Sequence, residues 1–244
     1  MTGTYTITLG DCAENGVGME QIGEKAIIGY TPRRLRRMAR YWKKLDSSLE
    51  PELIHLGEDA WVLVVRGGVN AICDDADELL EELQELEWDR KALQRGRVVN
   101  KHARYNLCFS EVDREPDYPE GKGRLIAWSS VPTLEQARAT LDQSGLFGTQ
   151  LQAEGNWYYD VSKCGIGFHG DRERLRVIGL RVGESMPIVW RWYHQCQPVG
   201  DPIVVPLDHG DVYVMSQQAT GHDWLSRSKH TLRHAAGCSK YTGL

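Results

Sequence analysis

The segment Cys164-Gly165-Ile166-Gly167-Phe168-His169-Gly170-Asp171 anchors what this sequence says. Its first five residues form a short run of strand length, and the run ends in His-x-Asp. Side chains at i and i+2 of an extended segment project to one side, so an imidazole and a carboxylate can share one ion here. Alone the tripeptide is weak, because a chain with 8 His produces such spacings by chance. Its surroundings add weight. From Gly145 onward the chain reads as β, with candidate strands Trp157 to Asp160, Cys164 to Phe168, Arg174 to Arg181, Ile188 to Tyr193, Ile203 to Leu207, Asp211 to Ser216 and Lys229 to His234. Short strands at this spacing predict a barrel or a double-sheet jelly roll.

Upstream the pattern is mixed. Thr31-Pro32 is a good cap and first turn, and Leu35, Met38, Trp42 and Leu45 make a helical stripe over Thr31 to Leu45. The same stretch holds Arg33, Arg34, Arg36, Arg37, Arg40, Lys43 and Lys44 without an acidic residue. Such a face either grips phosphates or is solvated or paired internally. A ready internal partner is the helix expected near Asp75 to Trp88, with Asp77, Glu78, Glu81, Glu82, Glu85 and Glu87. Ala60 to Val65 reads as a buried strand, and Arg97 to Asn100, Tyr105 to Ser110 and Gly123 to Trp128 as short ones. A further helix is expected over Thr133 to Gln143, opened by a Thr133/Gln136 capping box. The first thirty residues show no clear period. The expected fold class is α+β, mainly β: a double-stranded β-helix (jelly-roll) core with helices packed on one face. Residues 1–52 read as an N-terminal extension with a basic amphipathic helix, 53–145 as a helical and substrate-recognition part, and 146–244 as the core.

Composition narrows the function classes. The chain has 244 residues, 41% of them hydrophobic, and a formal charge of −5. That length buries a core without staples. No stretch reaches the roughly 18 apolar residues of a membrane span, and Met1 to Asp11 has no leader pattern. Six scattered cysteines without a C-x-x-C pair argue for reduced thiols and against zinc knuckles. The expected setting is intracellular, cytoplasmic or nuclear, without membrane association. Mild acidity also means that any nucleic-acid contact is local.

A ferrous facial triad needs one more imidazole beside His-x-Asp, leaving three coordination positions open. The C-terminal part offers His222, followed by Arg227 and Arg233. A keto-diacid on the metal needs a fixed cation at its far end, and the arginine fork suits that best.

Five elements occur in a telling order: Asn156-Trp-Tyr158-Tyr-Asp160, His169-x-Asp171-Arg-Glu173, Leu207-Asp-His209-Gly210-Asp211-Val-Tyr-Val-Met215, His222, and Arg227-Ser-Lys-His-Thr-Leu-Arg233. Together they resemble the AlkB-like Fe(II)/2-oxoglutarate dioxygenases, from about Leu53 to the end. Position by position, the resemblance implies His169, Asp171 and His222 as catalytic metal ligands. It implies Arg227 on the far carboxylate of 2-oxoglutarate, Arg233 near its metal-bound end, and Asn156 and Tyr158 as hydrogen-bonding partners of the co-substrate. His209 is expected at a turn, off the metal. His234 and His230 stand as alternatives for the distal ligand, since only four residues separate His222 from Arg227. Arg227, Lys229, Thr231 and Arg233 share one face of a regular strand.

The resemblance further implies Fe(II), 2-oxoglutarate and O2 as cofactors and co-substrates. The implied reaction is oxidative removal of N-alkyl groups from nucleic-acid bases, releasing formaldehyde, succinate and CO2, on a base that is flipped or single-stranded. Tyr105, His102 and Arg104 are candidate base contacts. Two rivals remain: the same chemistry on a protein side chain or small metabolite, and a jelly-roll module that binds a ligand without turnover.

Overall fold

A computed structural model describes residues 3–16 and 18–244; Met1 and Thr2, at the head of the segment 1–52, and Val17 within it lie outside the described residues. In chain order the elements are β1 (Thr4–Gly10), the hairpin β2 (Cys12–Glu14) and β3 (Gln21–Gly23), α1 (Pro32–Leu45), β4 (Glu52–Gly57) and β5 (Ala60–Val65). There follow α2 (Asn70–Cys73), α3 (Ala76–Gln84), the hairpin β6 (Lys91–Gln94) and β7 (Arg97–Asn100), β8 (Tyr105–Ser110), β9 (Leu125–Ala127) and α4 (Pro132–Gln143). The last part holds β10 (Gln152–Tyr158), β11 (Gly165–His169), β12 (Val177–Gly183), β13 (Ile188–His194), β14 (Gln197–Val205), β15 (Val212–Met215), β16 (His230–Gly237) and α5 (Ser239–Thr242). The protein is mainly β.

An eight-stranded sheet runs β4-β5-β15-β12-β1-β10-β8-β9, and a four-stranded sheet runs β11-β16-β13-β14. The centre of the large sheet comes from the very start of the chain. β1 pairs along its whole length with β10 on one side and β12 on the other. Residues 4–10 are therefore a core strand and not part of an appendage. The signal was present as Tyr5, Ile7 and Leu9 alternating with Thr4, Thr6 and Thr8. It was disguised because Thr is a strand former that counts as polar.

Strict alternation gives the large sheet two working faces. Tyr5, Ile7, Leu9, Leu63, Val65, Ile178 and Leu180 meet Leu35, Met38 and Trp42 of α1, Leu79 and Leu83 of α3, and Leu134 and Leu141 of α4 in one apolar cluster. The opposite face joins the small sheet: Val62, Val64, Val177 and Met215 pack with Ile188, Trp190, Val205 and Leu232. The cavity described below opens on this second face.

Thr31 caps α1, its side chain accepting from the Arg34 N–H, with Pro32 in the first turn. The acidic helix is shorter than expected, and none of its carboxylates pairs with α1 among the described residues. One of them caps α4 instead: Glu82 accepts from the N–H groups of Thr133 and Leu134 at 2.8 and 3.0 Å. That replaces the expected capping box, since the residue before Pro132 is Val131, which offers no side-chain acceptor. Buried Asp89 ties down the two hairpins, accepting from Asn15 Nδ2 (2.7 Å), Tyr118 Oη (2.8 Å) and the Arg124 N–H (2.7 Å). All six cysteines are free. Among the described residues no helix is long and apolar enough to cross a membrane.

Candidate metal centre

His169 ends β11 and stands directly opposite His234 of β16 in the antiparallel register, so the two imidazoles form a cross-strand pair. Their ring centroids are 4.4 Å apart. Asp171 follows in the turn after β11, its Oδ1 at 3.8 Å from His169 Nε2 and 3.7 Å from His234 Nε2. Those distances exceed hydrogen-bond range. Ligand atoms of the three residues all lie within 4.8 Å of one another, a group that could hold a metal ion.

Close backbone approach holds the turn in place. Asp171 N–H donates to the Thr220 carbonyl at 2.8 Å. A Cβ on Gly170 would come within 2.0 Å of the Gly221 carbonyl oxygen and 2.7 Å of Trp224 Cδ1, so glycine is required between the two ligands. Thr220, Gly221 and Trp224 thus clamp the His-Gly-Asp turn. His222 follows Gly221 in the chain: its Nδ1 lies 3.1 Å from the Gln217 carbonyl, and it is not among the three converging groups. The structure puts His234 where the sequence reading put His222. His230 is exposed beside Glu58.

Protonation suits a cation. His169 Nδ1 lies 2.8 Å from the Gly167 carbonyl, which can only accept, so Nδ1 carries the hydrogen and Nε2 is left as a lone-pair donor. Among the described residues the His234 Nδ1 is buried without a partner. Burial pushes the Asp171 carboxyl up to about 8, holds the His169 imidazolium down at about 4, and carries His234 well below its ordinary value, with His169 adding to the effect. Two neutral imidazoles and a carboxyl that burial keeps protonated are a donor set from which a divalent cation would displace one proton on binding.

The triad sits in a cavity of about 520 Å³. Asn156 and Tyr158, from the inward face of β10, line it. Asn156 Oδ1 accepts from Arg104 Nε at 2.7 Å and from Asn106 Nδ2, so its carbonyl end is already engaged. The two arginines fall elsewhere. Arg227 is exposed in the loop before β16, and Arg233 lies on the outer face of the small sheet, 4.1 Å over Tyr193 and 5.1 Å over Trp224. Period two puts Arg233 opposite His234, so both cannot face the cavity. His209 is at a turn, accepting from the Gly183 N–H at 3.1 Å.

The cavity has another cation. Arg181, on the inward face of β12, is 1% exposed and lines the cavity with Tyr158 and Tyr213. Its Nη1 donates to the Met186 carbonyl at 2.8 Å, and among the described residues its Nε has no partner. Desolvation draws its basicity below the ordinary value. Tyr213 can lie across the sheet here because residue 179 is glycine: a Cβ there would sit 2.0 Å from the Tyr213 ring. The sequence signal for Arg181 was one arginine within the apolar run Val177 to Val182. Arg174 also lines the cavity, buried between Glu154 (2.6 Å) and Glu173 (2.9 Å).

Fold and site define a mainly β protein with a partly buried two-histidine, one-carboxylate group lining a cavity. No family model matches the chain. It is 43% identical over 250 residues, covering 98% of this chain and 97% of the relative, to an uncharacterized protein of Acanthamoeba polyphaga mimivirus. The chain belongs to the same family as that viral protein.

Proposed function

We propose that this protein is an Fe(II)- and 2-oxoglutarate-dependent dioxygenase related to the AlkB-like enzymes, acting on N-alkyl groups of nucleic-acid bases. The observation that carries the proposal is one cavity lined both by His169, Asp171 and His234 and by Arg181, whose Nε has no partner among the described residues. Two facing sheets around that cavity are what a double-stranded β-helix would supply. In this reading the two imidazoles and the Asp171 carboxylate hold Fe(II), and Arg181 takes the anionic end of 2-oxoglutarate in the role that the resemblance gave to Arg227. Tyr158 and Tyr213 wall the co-substrate and keep water from it. When bound, iron and 2-oxoglutarate supply oxidation of a C–H bond by O2, which on an N-methyl group ends in formaldehyde, succinate and CO2. Arg104 and the polar mouth would orient the target base, delivered flipped or from a single strand.

The test is anaerobic Fe(II) titration followed by succinate formation from 2-oxoglutarate in air. Formaldehyde release is then compared between oligonucleotides carrying 1-methyladenine or 3-methylcytosine and methylated peptides. Succinate with formaldehyde from the oligonucleotides supports the proposal. Turnover confined to peptides or small metabolites moves the substrate, and absence of both iron binding and succinate leaves a binding module.

A further inference from the structure

The strongest charge outside the cavity lies on α1. Arg33, Arg37, Arg40 and Lys44 recur at steps of four, three and four residues, and all are exposed, so they form one stripe about 16 Å long at the rise of an α-helix. Exposed Arg36 and Lys43 flank it, and Leu35, Met38 and Trp42 bury the opposite side. This placement works against the helix. Like charges four residues apart repel, the first turn holds no acidic residue, and Arg33 and Arg34 stand at the positive end of the macrodipole.

Among the described residues nothing offsets most of this charge. Among the described residues only Lys43 of this helix has a carboxylate partner, Glu50. Arg34 is engaged by the main-chain carbonyls of Leu146 and Gly145, and Asp46 turns to Ser48. In a chain of net charge −5 the stripe is a local surplus.

An aromatic surface adjoins it. The exposed His55 ring stacks on Trp61 with centroids 4.4 Å apart and planes at 26°, and the Arg36 guanidinium carbon lies 5.8 Å from the Trp61 ring centre. Regularly spaced cations beside stacked rings suit single-stranded nucleic acid, because the cations follow phosphates while the rings accept a base. An anionic membrane would want an apolar flank, which the exposed face of α1 lacks apart from Leu45 at its end. An acidic protein would have no use for the ring stack.

We propose that the exposed face of α1, with Arg36, His55 and Trp61, is a docking surface for single-stranded nucleic acid. It lies on the helix-bearing side of the large sheet, away from the candidate metal centre. The inference shares a partner class with the proposed function but does not rest on iron.

The experiment is fluorescence anisotropy of labelled oligothymidylate and oligouridylate of about twelve nucleotides, titrated with the full chain in EDTA at about 50 and about 200 mM salt. Expected are salt-weakened binding, an affinity loss of about tenfold in Arg37→Gln/Arg40→Gln, and a salt slope reduced by about 0.7 per lost contact. His55→Ala should weaken binding about fivefold at an unchanged slope. These positions are exposed, and unchanged melting temperatures establish that the variants remain folded. Absence of binding at the lower salt, variants that bind like the parent, or tighter binding to phosphatidylserine vesicles or polyglutamate would overturn the proposal. Docking without turnover would count against the oxygenase reading alone, and turnover without docking against this surface alone.

Discussion

Arg233 and His234 are neighbours in the chain and leave β16 on opposite faces of the small sheet. His234 points inward, 3.7 Å from Asp171, whereas Arg233 lies outside over Tyr193. Because a strand alternates, a slip of one residue would exchange their roles.

Metal binding should therefore depend on His234 and not on His222. His234→Ala or Asp171→Ala is expected to weaken Mn(II) or Fe(II) binding by more than about 100-fold, beyond what loss of an outer-shell partner costs. His222→Ala, which removes only a contact to the Gln217 carbonyl, should retain affinity within about tenfold. Calorimetric titration measures both. Metal at about 100 times its Kd should raise stability by about 2.7 kcal/mol, an increase that EDTA reverses and His234→Ala abolishes.

Arg181 separates the two accounts of the anion site. Removing one member of a buried charge pair costs about 2–5 kcal/mol. Arg181→Gln should thus raise the 2-oxoglutarate concentration for half-maximal succinate formation by about 30-fold or more. Arg227→Gln should leave it unchanged. Arg233→Gln should lower stability by about 0.5–1 kcal/mol through its lost ring contacts, again without moving that concentration. An equal rise in all three variants would contradict this assignment.

The N-terminal strand is structurally indispensable. Deleting residues 1–10 removes the strand between β10 and β12, leaving two interior edges unpaired and a hole in the core. The truncated chain is expected in the insoluble fraction. Ile7→Ala, at a fully buried position, should cost about 2–5 kcal/mol, read as a shifted midpoint in urea.

A half-buried carboxylate lining the cavity sets a pH dependence. Burial, with repulsion from Glu173 and Glu154, pushes Glu14 up to about 7 from its ordinary 4.5. Between those values the folded chain keeps a proton that the unfolded chain releases, so this group's contribution is present at low pH and is lost as pH rises towards 7. Glu14→Gln removes the loss. The variant's melting temperature should gain on the parent's between about pH 5 and about pH 8, and a constant difference would show that Glu14 is not shifted.

Local rules carried far in this chain. Thr31-Pro32 started a helix, apolar runs marked β5, β8 and β13, and His169-Gly-Asp171 singled out one pair of groups, because caps, periodicity and i, i+2 geometry act within a few residues. What tertiary structure decided was pairing over distance: β1 entering the middle of the large sheet, Glu82 capping α4, and His234 instead of His222 standing across from His169. Arg181 became a cavity group only because β12 turns that face towards the small sheet. Strand register and sheet order are set by the burial of side chains far apart in sequence, and no local pattern encodes that sum.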